Sequence, residues 1–515
     1  MDTLLAAIPL IVVLALMVGL RWSGSKAGAA GWLTSLVIAL LRFGVGPEAL
    51  FWAQIQGLFR AGYVLYIIWG ALLFFRVTEA DGTLSAMSDM LQKLAPGRVL
   101  QVLLLAWAFT SFLQGVGGFG VPVAVVAPIL VSMGFPALDA VVMASLGHSW
   151  AISFGSLGAS YEALTSTTGL DGAVIGPWMA LMLSIVCFTV GAIILRLAAG
   201  RKKLREELGP MLTMAAAMTL TQAAAVYAGI PNIAAMLGAL AGIVVGTVWA
   251  IVRRRRSGEG QAEPVVDRKA ILRLLPYALL VVVIFAVNFI PLLNAMLNRL
   301  VVAVQVPALT LRDGTQIAAT RTKGISILGH PGAQLVYAAI IALLLARRSG
   351  NLPQGSGERI RKGVLKSGTK STLGILAMMA MATTMQVGGM VSELATSMAA
   401  LAGRLFPLIS PWIGALGAFM TGSNTNSNVL LGAFQLQVAQ TLGLHVPLVL
   451  ALHNAGAAVG SIFAPAKIIV GCSTVGLGGG ESEALQKTTR YGVIGIAVLA
   501  VVGIVLTQLV PGVSP

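Results

Sequence analysis

The chain has 515 residues, of which 57% are hydrophobic and 10% charged, with a mean hydropathy of +0.90 and a formal net charge of +16. Soluble domains carry roughly 25% charged residues, so this composition excludes a soluble enzyme, a nucleic-acid-binding protein and a secreted scaffold. The two cysteines, Cys187 and Cys472, are far apart and indicate neither a disulfide framework nor a zinc site. We therefore predict an all-α polytopic membrane protein.

Membrane spans are predicted from apolar stretches, since a spanning helix needs about 20 largely apolar residues. Two regions, 99–135 and 408–442, are too long for one helix and have polar, glycine-rich centres. We predict about 12–14 transmembrane helices. The remaining candidate spans are residues 4–20, 29–41, 59–75, 138–160, 173–195, 208–227, 232–252, 274–293, 331–346, 371–391, 446–463 and 491–510.

The two interrupted regions are expected to form either re-entrant hairpins or full-length helix pairs. The hairpin is favoured because the sequence QGVGGFG at 114–120, followed by Pro122, is a poor helix in lipid. Irregular backbone at membrane depth is tolerated only when it is buried in protein or lines a cavity.

The charge distribution predicts the orientation. Segments 196–209, 253–273 and 347–370 hold 19 of the 34 Lys and Arg with six acids, so they carry 13 of the +16. By the positive-inside tendency these three segments are cytoplasmic. Segment 294–329 is then a long outer loop, and both chain ends are outside. Arg42 and Arg60 fall on the outer side, against the trend.

An internal repeat is the most informative feature of the chain. Three short motifs recur in the same order at offsets of 305 to 307 residues: FLQG at 112–115 with FMTG at 419–422, His148 with His453, and TTGL at 167–170 with TVGL at 474–477. The predicted orientation makes the two copies inverted, which places a substrate site between broken helices near the midplane. We divide the chain into scaffold spans 1–98, a first repeat core 99–196, linking scaffold spans 197–370, and a second repeat core with the last span, 371–515.

The tip of the second interrupted region is the strongest candidate binding site. TGSNTNSN at 421–428 has seven hydroxyl or amide side chains in eight residues, between apolar flanks. Such side chains and free helix-end N–H groups form a neutral cup that suits a small carboxylate. A solvated loop is the alternative. The predicted substrate-binding residues are Ser423, Asn424, Thr425, Asn426 and Asn428, with Gln114, Gly115, Gly117 and Gly118 of the first tip, and Ser156, Ser461 and Lys467 beside the tips.

The first tip offers backbone rather than side chains, so its glycines serve either close approach to a ligand or tight helix packing. Lys467 is expected either to pair with a substrate carboxylate or to extend toward the membrane surface.

Ionisable residues within spans mark candidate coupling sites. His148 and His453 hold equivalent repeat positions, and histidine suits proton transfer at physiological pH. The alternative is a neutral histidine bonded across helices. Glu162 and Asp171 lie in the predicted outer loop after the first copy, as proton-transfer candidates or as solvated loop acids. The chain lacks a nucleotide-binding loop and any catalytic or metal-binding spacing, which predicts no enzyme activity, metal or cofactor.

The chain resembles the L-lactate permease family. The resemblance is carried by FLQGVGGFGVP at 112–122, WAISFGSLG at 150–158 closing on TGLD at 168–171, TGSNTNSN at 421–428 and APAKIIVGCSTVGL at 464–477. It implies a bacterial inner-membrane proton symporter for L-lactate, D-lactate, glycolate and related 2-hydroxymonocarboxylates. Its implied partners are the carboxylate, a proton and the lipid bilayer, and analogy with related folds adds a homodimer.

That family is similar in turn to the ion-transporter superfamily, where Ser-Asn-Thr motifs at two re-entrant tips bind carboxylate and sodium. Ser423, Asn424 and Thr425 match the motif at the second tip, whereas Gln114, Gly115 and Val116 replace it at the first. This difference favours proton coupling and a single carboxylate-binding tip, with rocking or elevator-type alternating access. An anion channel and a sodium-coupled organic anion carrier remain as alternatives.

Overall fold

Helices make up 81% of the residues that the structure describes and strands 3%. The structure is a computed structural model that describes residues 2–20, 22–94, 97–118, 120–200, 205–256, 275–312 and 314–510. The first half contains α1 Asp2–Val18, α2 Gly24–Leu41, α3 Pro47–Ala80, α4 Thr83–Leu94, α5 Arg98–Val102, a π-helix Leu103–Phe109, α6 Thr110–Val116, α7 Val121–Ser132, α8 Ala137–Gly147, α9 Gly155–Thr168, α10 Gly172–Ala199, α11 Leu208–Tyr227 and α12 Ala234–Arg256. The second half contains α13 Leu275–Phe289, α14 Pro291–Leu297, α15 Pro331–Arg348, α16 Ser356–Val387, α17 Met390–Ala402, α18 Phe406–Thr421, α19 Asn424–Thr441, α20 Val446–Ile462, α21 Pro465–Thr474 and α22 Glu481–Leu509.

Many of these helices are long and apolar enough to cross a membrane. Within the described residues nine qualify by length and composition, or up to eleven if two bent helix pairs each count as one span. The bent pairs are Ala137–Ala151 with Gly155–Thr168, at 53°, and Leu275–Phe289 with Pro291–Leu297, at 87°. The protein is therefore an all-α, multi-pass membrane protein, as the composition predicts.

Several boundaries differ from the sequence-based expectation. The span predicted at 59–75 is part of the 34-residue helix Pro47–Ala80. Helices α4 and α17 were not expected, because their mixed polar and apolar residues do not form an apolar run. The outer loop predicted to start after residue 160 is wrong at its beginning, because α9 continues to Thr168.

The helix ends define two faces of the protein. Helices α10, α12 and α15 all carry arginines in their last turn, so we call the end where they finish the basic face and the other end the distal face. Of the predicted basic segments, residues 201–204 and 257–274 lie outside the described residues. The proposed division into four parts stays a prediction.

The first interrupted region forms a hairpin that enters from the basic face. Its first arm, Arg98–Val116, runs against α12, with Leu104 next to Gly246 and Gly115 next to Met236. The second arm, α7, returns to the start, where the Arg98 guanidinium donates to the Gly134 carbonyl oxygen over 2.7 Å. The first arm is enclosed by protein on nearly all sides: every residue of its π-helix Leu103–Phe109 is fully buried.

The second interrupted region, α18 with α19, forms a hairpin that enters from the distal face. After α19 the chain continues through His445 into α20. The His445 ring lies 4.7 Å from the ring of Trp178, near the distal end of α10, so the hairpin ends at the distal face. Small residues allow α18 and α20 to touch: a Cβ at Gly414 would overlap the His453 carbonyl, and one at Gly456 would overlap that of Pro411. The two hairpins thus enter from opposite faces. The inverted repeat itself stays a prediction.

The predicted outer loop 294–329 is partly ordered by strands. Three short antiparallel ladders, Val301–Val302 with Ile325–Ser326, Gln305–Val306 with Thr320–Arg321, and Leu309–Thr310 with Gln316–Ile317, form one long β-hairpin. It lies over α3, where the Tyr66 hydroxyl donates to the Ile327 carbonyl oxygen over 2.8 Å. The run of polar residues at 320–323 explains why hydropathy alone indicated a loop.

Candidate functional site: a polar cup between two broken helices

The tip of the second hairpin is built as a helix start. Gly422 has φ +70°, a left-handed conformation that favours glycine. Ser423 then caps α19, and its side chain accepts from the Asn426 N–H over 3.4 Å. As at the start of any α-helix, the first N–H groups of α19 have no acceptor within the helix. This arrangement provides partial positive charge at a tip whose side chains are neutral.

Three side chains of the tip contact the first broken helix. Thr425 Oγ1 lies 2.8 Å from Ser160 Oγ, and Asn428 Nδ2 donates to the Ser160 carbonyl oxygen over 2.8 Å. Asn424 Nδ2 donates to Ser153 Oγ over 3.2 Å. The cup is therefore formed jointly by two segments about 265 residues apart.

The break in the first broken helix is strained. Ser156 and Leu157 have φ values of +47° and +55°, and Gly158 follows at +85°. Left-handed backbone costs roughly 1–2 kcal/mol for each residue other than glycine. A hydrogen bond from the Tyr161 N–H to the Ser153 carbonyl closes the break over 3.1 Å. The strain holds Ser153 and Ser160 toward the tip, a use often found at functional sites.

Of the three predicted glycines of the first tip, only Gly118 contacts the same break. A Cβ on Gly118 would overlap the Ser156 hydroxyl, and the Gln114 amide lies beside Gly118 and Gly155. Gly115 instead packs against Met236, and Gly117 against Phe75. These two glycines serve close helix packing, which was one of the two alternatives open from sequence.

Two oxygen atoms in the cup lack partners. Asn424 and Asn428 use their amide nitrogens, and both Oδ1 atoms are buried with no hydrogen-bond partner among the described residues. An unpartnered buried polar atom costs about 1–3 kcal/mol, so each oxygen is a ready acceptor. Asn426, by contrast, points to Gly24 at the start of α2. It lies away from the other predicted residues.

The second broken helix contributes a positively charged side chain, Lys467. Helix α20 ends at Ile462 and α21 begins at Pro465, with Ala464 extended between them and next to Gly422. The Lys467 ammonium donates to Ser461 Oγ over 3.1 Å and is partly buried. Ser461 and Lys467 are therefore brought together at the break, as their positions in the sequence suggest.

The four histidines fall into two groups. His330 and His445 cap helices, accepting from the Gly332 and Leu448 N–H groups. Burial, followed by the charge of Lys323, lowers the pKa of His330 to about 3, so it stays neutral. Burial also lowers the pKa of His445. These two histidines serve as helix caps.

The other two histidines are fully buried inside spans. His148 ends α8, and its Nδ1 lies 2.9 Å from the Ala144 carbonyl oxygen. Since a carbonyl only accepts, Nδ1 carries the proton in the neutral ring, and the buried Nε2 is the free acceptor. Both ring nitrogens of His453 and both amide atoms of Asn454 are buried without partners among the described residues. Each histidine thus has a nitrogen able to take a proton.

The two predicted acids behave differently. Glu162 is not in a loop: it lies in α9, is buried, and its carboxylate pairs with Lys323 of the β-hairpin at 3.0 Å. Helix α9 continues past the apolar run, so the predicted boundary misplaced it. Asp171 is exposed and caps α10 through the Ala173 N–H over 2.9 Å. Within the described residues no cluster of three His, Cys, Asp or Glu is placed to hold a metal.

Sequence reasoning missed Ser153, Ser160 and Lys323. The two serines lie in SFGSLGAS at 153–160, whose small polar residues interrupt an apolar span; that interruption was the available signal. Nothing local marks Lys323, because its partner is 161 positions away.

A cavity of about 1300 Å³ opens on the distal face. We call it the vestibule. It is bounded by the ends of α2, α9 and α16, the start of α10, and the β-hairpin.

Two broken helices, two hairpins entering from opposite faces and a neutral polar cup between them define a membrane transporter. The chain belongs to the L-lactate permease family: the family model described as L-lactate permease matches residues 2–510. As a permease it is a transporter and not an enzyme.

Curated relatives share about a quarter of their residues with this chain over nearly its full length. An L-lactate permease of Streptococcus iniae is 27% identical, covering 86% of this chain and 92% of its own. Glycolate permease GlcA of Escherichia coli K12 is 26% identical, covering 99% and 97%. Among solved structures, the YdaH transporter of Alcanivorax borkumensis aligns with a TM-score of 0.47 at 14% identity, covering 88% of this chain and 87% of that one.

Proposed function

We propose that this protein is a secondary carrier that moves a small 2-hydroxymonocarboxylate, L-lactate, D-lactate or glycolate, together with a proton across the bacterial inner membrane. The basic face is cytoplasmic in this proposal, because it collects the arginine-rich helix ends. The relatives are named lactate and glycolate permeases, which supports this substrate class. A homodimer is part of the proposal only by analogy.

The observation that carries the proposal is the shared cup of Asn424, Thr425, Asn428 and Ser160. A 2-hydroxymonocarboxylate has one anionic group and one hydroxyl donor. The N–H groups at the start of α19 and the Lys467 ammonium suit the carboxylate. The unpartnered Oδ1 atoms of Asn424 and Asn428 suit the hydroxyl, since each accepts and does not donate.

Proton coupling is assigned to His148 or His453. Each is buried next to elements of the cup and has an unpartnered ring nitrogen. His453 lies in α20, which packs against α18, and His148 follows the end of α8, eight residues before the strained Ser156. Protonation of a buried imidazole is favoured when an anion binds nearby, which couples the two ligands.

Uptake into proteoliposomes tests this function. Wild-type protein should accumulate L-lactate or glycolate when an inward proton gradient is imposed and should prefer them to acetate and propionate, which lack the hydroxyl. Counterflow should occur without a gradient. Equal uptake of acetate and lactate would remove the assigned role of the Asn oxygens, and flux without counterflow would indicate a channel.

A sodium-coupled carrier is the second candidate, and one observation supports it. The same unpartnered Asn424 and Asn428 oxygens, with nearby Thr425 and Ser160 hydroxyls, are hard oxygen ligands of the kind that bind metal cations such as sodium. Accumulation driven by a sodium gradient at equal pH on both sides of the membrane would favour this candidate over proton coupling.

A further inference from the structure

The vestibule carries an excess of positive charge. Its described lining includes five basic side chains and three acidic ones. Two of the basic residues are already matched, because Arg42 pairs with Asp2 at 2.8 Å and Lys323 pairs with Glu162 at 3.0 Å. The other three have no carboxylate within ion-pair distance among the described residues; they are Arg60, Arg312 and Arg321.

Arg60 is held by neutral oxygens at the junction of three elements. Its Nη1 donates to Gln386 Oε1 over 2.8 Å and makes a longer contact of 3.4 Å with the Thr167 carbonyl oxygen. A guanidinium has five N–H donors, and none of these bonds neutralises its charge. Beside it, the hydroxyls of Ser166 and Thr167 are buried without partners. A charged residue in a candidate span with no counter-ion is costly and marks a functional position.

Arg312 and Arg321 reach the same cavity from the β-hairpin. Arg321 pairs with Gln305 in the ladder, and Arg312 follows the strand Leu309–Thr310, with its N–H bonded to the Gly44 carbonyl oxygen over 2.9 Å. Both side chains are exposed to the cavity. The β-hairpin therefore adds positive charge to the wall of the vestibule.

The vestibule and the polar cup lie along the same helix, α9. Thr167, at the Arg60 end, and Ser160, at the cup, are seven residues apart on this helix, which is roughly 10 Å at 1.5 Å per residue. Thr425 of the cup bonds directly to Ser160. An anion near Arg60 is thus one short helix segment from the binding tip.

We propose that the vestibule is a second anion-binding site, in which Arg60, Arg312 and Arg321 attract a small organic monoanion and Arg60 passes it toward the cup. A concave surface with an excess of one sign of charge concentrates ligands of the opposite sign, and here the five basic side chains outnumber the three acidic ones. The identity of the ligand as a 2-hydroxymonocarboxylate rests on the proposed function; the anion selectivity of the vestibule does not.

Chemical labelling tests the site without transport. The probes are a negatively charged sulfonate and a positively charged trimethylammonium methanethiosulfonate, applied to the full-length protein in detergent. Thr320→Cys places a thiol in the vestibule next to Arg321, and Leu300→Cys places one at an exposed position just before the strand Val301–Val302, beside Arg299 and outside the lining. The native thiols Cys187 and Cys472 are fully buried and provide little background.

The ratio of anionic to cationic labelling rates should be about fivefold higher at position 320 than at position 300 in low salt, and the difference should shrink as salt is added. Arg60→Gln and Arg312→Gln should each lower the ratio at position 320 and leave it unchanged at position 300. Equal ratios at the two positions, or no effect of either arginine substitution, would overturn the proposal.

Transport kinetics test the step assigned to Arg60. In proteoliposomes Arg60→Gln should raise the KM for L-lactate or glycolate by about fivefold or more with little change in maximal rate, as expected when a charged hydrogen-bond donor is lost. Arg299→Gln, an outer arginine outside the lining, should leave KM unchanged. An unaltered KM in Arg60→Gln would contradict its role. Wild-type protein that moves neither substrate would overturn the proposed function, while the labelling result would still decide on the vestibule.

Discussion

Thr425 Oγ1 and Ser160 Oγ lie 2.8 Å apart, which ties the tip of the second hairpin to the first broken helix. Asn428 adds a second bond to the same residue, through the Ser160 carbonyl. Two bonds to one serine mean that the tip and α9 either move together or separate at this point. The cup is therefore complete only while the hairpin tip and α9 are in contact.

The first prediction concerns this contact. Thr425→Val and Ser160→Ala each remove one hydroxyl, and a neutral hydrogen bond contributes about 1 kcal/mol. Each variant should raise the substrate KM about fivefold, and the double variant should be no worse than the poorer single one, because both remove the same bond. Uptake kinetics of the wild type, the two single variants and the double variant give the coupling energy between the two hydroxyls. Fully additive effects would show that the two hydroxyls act independently.

A second prediction separates two asparagines in one motif. Asn424→Ala should abolish uptake, because it removes both the bond to Ser153 and the free Oδ1 acceptor of the cup. Asn426→Ala is the matched control, since Asn426 faces Gly24 of α2, and it should retain most uptake. Initial uptake rates, normalised to the amount of protein in the membrane, provide the comparison. Normal transport by Asn424→Ala would remove the tip from the site.

The third prediction addresses the proton. Replacing both His148 and His453 with glutamine keeps a polar side chain but removes the titrating group. Substrate should then equilibrate across the membrane without following the pH gradient, while counterflow persists. Accumulation ratios measured at several imposed gradients report this directly. Wild-type ratios in the double variant would assign coupling to another group.

The fourth prediction concerns the ion pair between the β-hairpin and α9. Glu162 is 9% exposed and Lys323 is 41% exposed, so the pair is only partly shielded from solvent. Lys323→Met leaves a buried carboxylate unpaired and should lower stability by about 1–2 kcal/mol. Adding Glu162→Gln should restore most of this loss. Thermal unfolding in detergent provides the readout, and a double variant less stable than Lys323→Met would contradict the pairing.

Much of this architecture is readable from local sequence. Apolar runs marked the long helices, and the clustering of arginines at the ends of α10, α12 and α15 predicted a common face. The first tip was predicted to turn because glycines and Pro122 disfavour helix, and the turn is found there. At the second tip, Ser423 has a side chain typical of a helix N-cap and is one.

The predicted site residues were sorted only by the fold. Ser423, Asn424, Thr425 and Asn428 share one tip, but Asn426 on the same turn points elsewhere, because successive residues of a helix face different directions. Gly115 and Gly117 face neighbouring helices, whereas Gly118 meets Ser156. The amino-acid sequence alone does not tell which of these glycines packs against a helix and which meets the break.

By itself the sequence determined that this chain is a multi-pass helical membrane protein, with polar breaks in two apolar regions and one strongly basic face. These properties depend on the chemistry of neighbouring residues. Only the tertiary structure decided which residues meet in the cup. It also decided the left-handed turn at Ser156 and the pairing of the buried Glu162 with Lys323. Each depends on segments that are distant in the chain and meet only after the helices pack, and local sequence does not specify which segments meet.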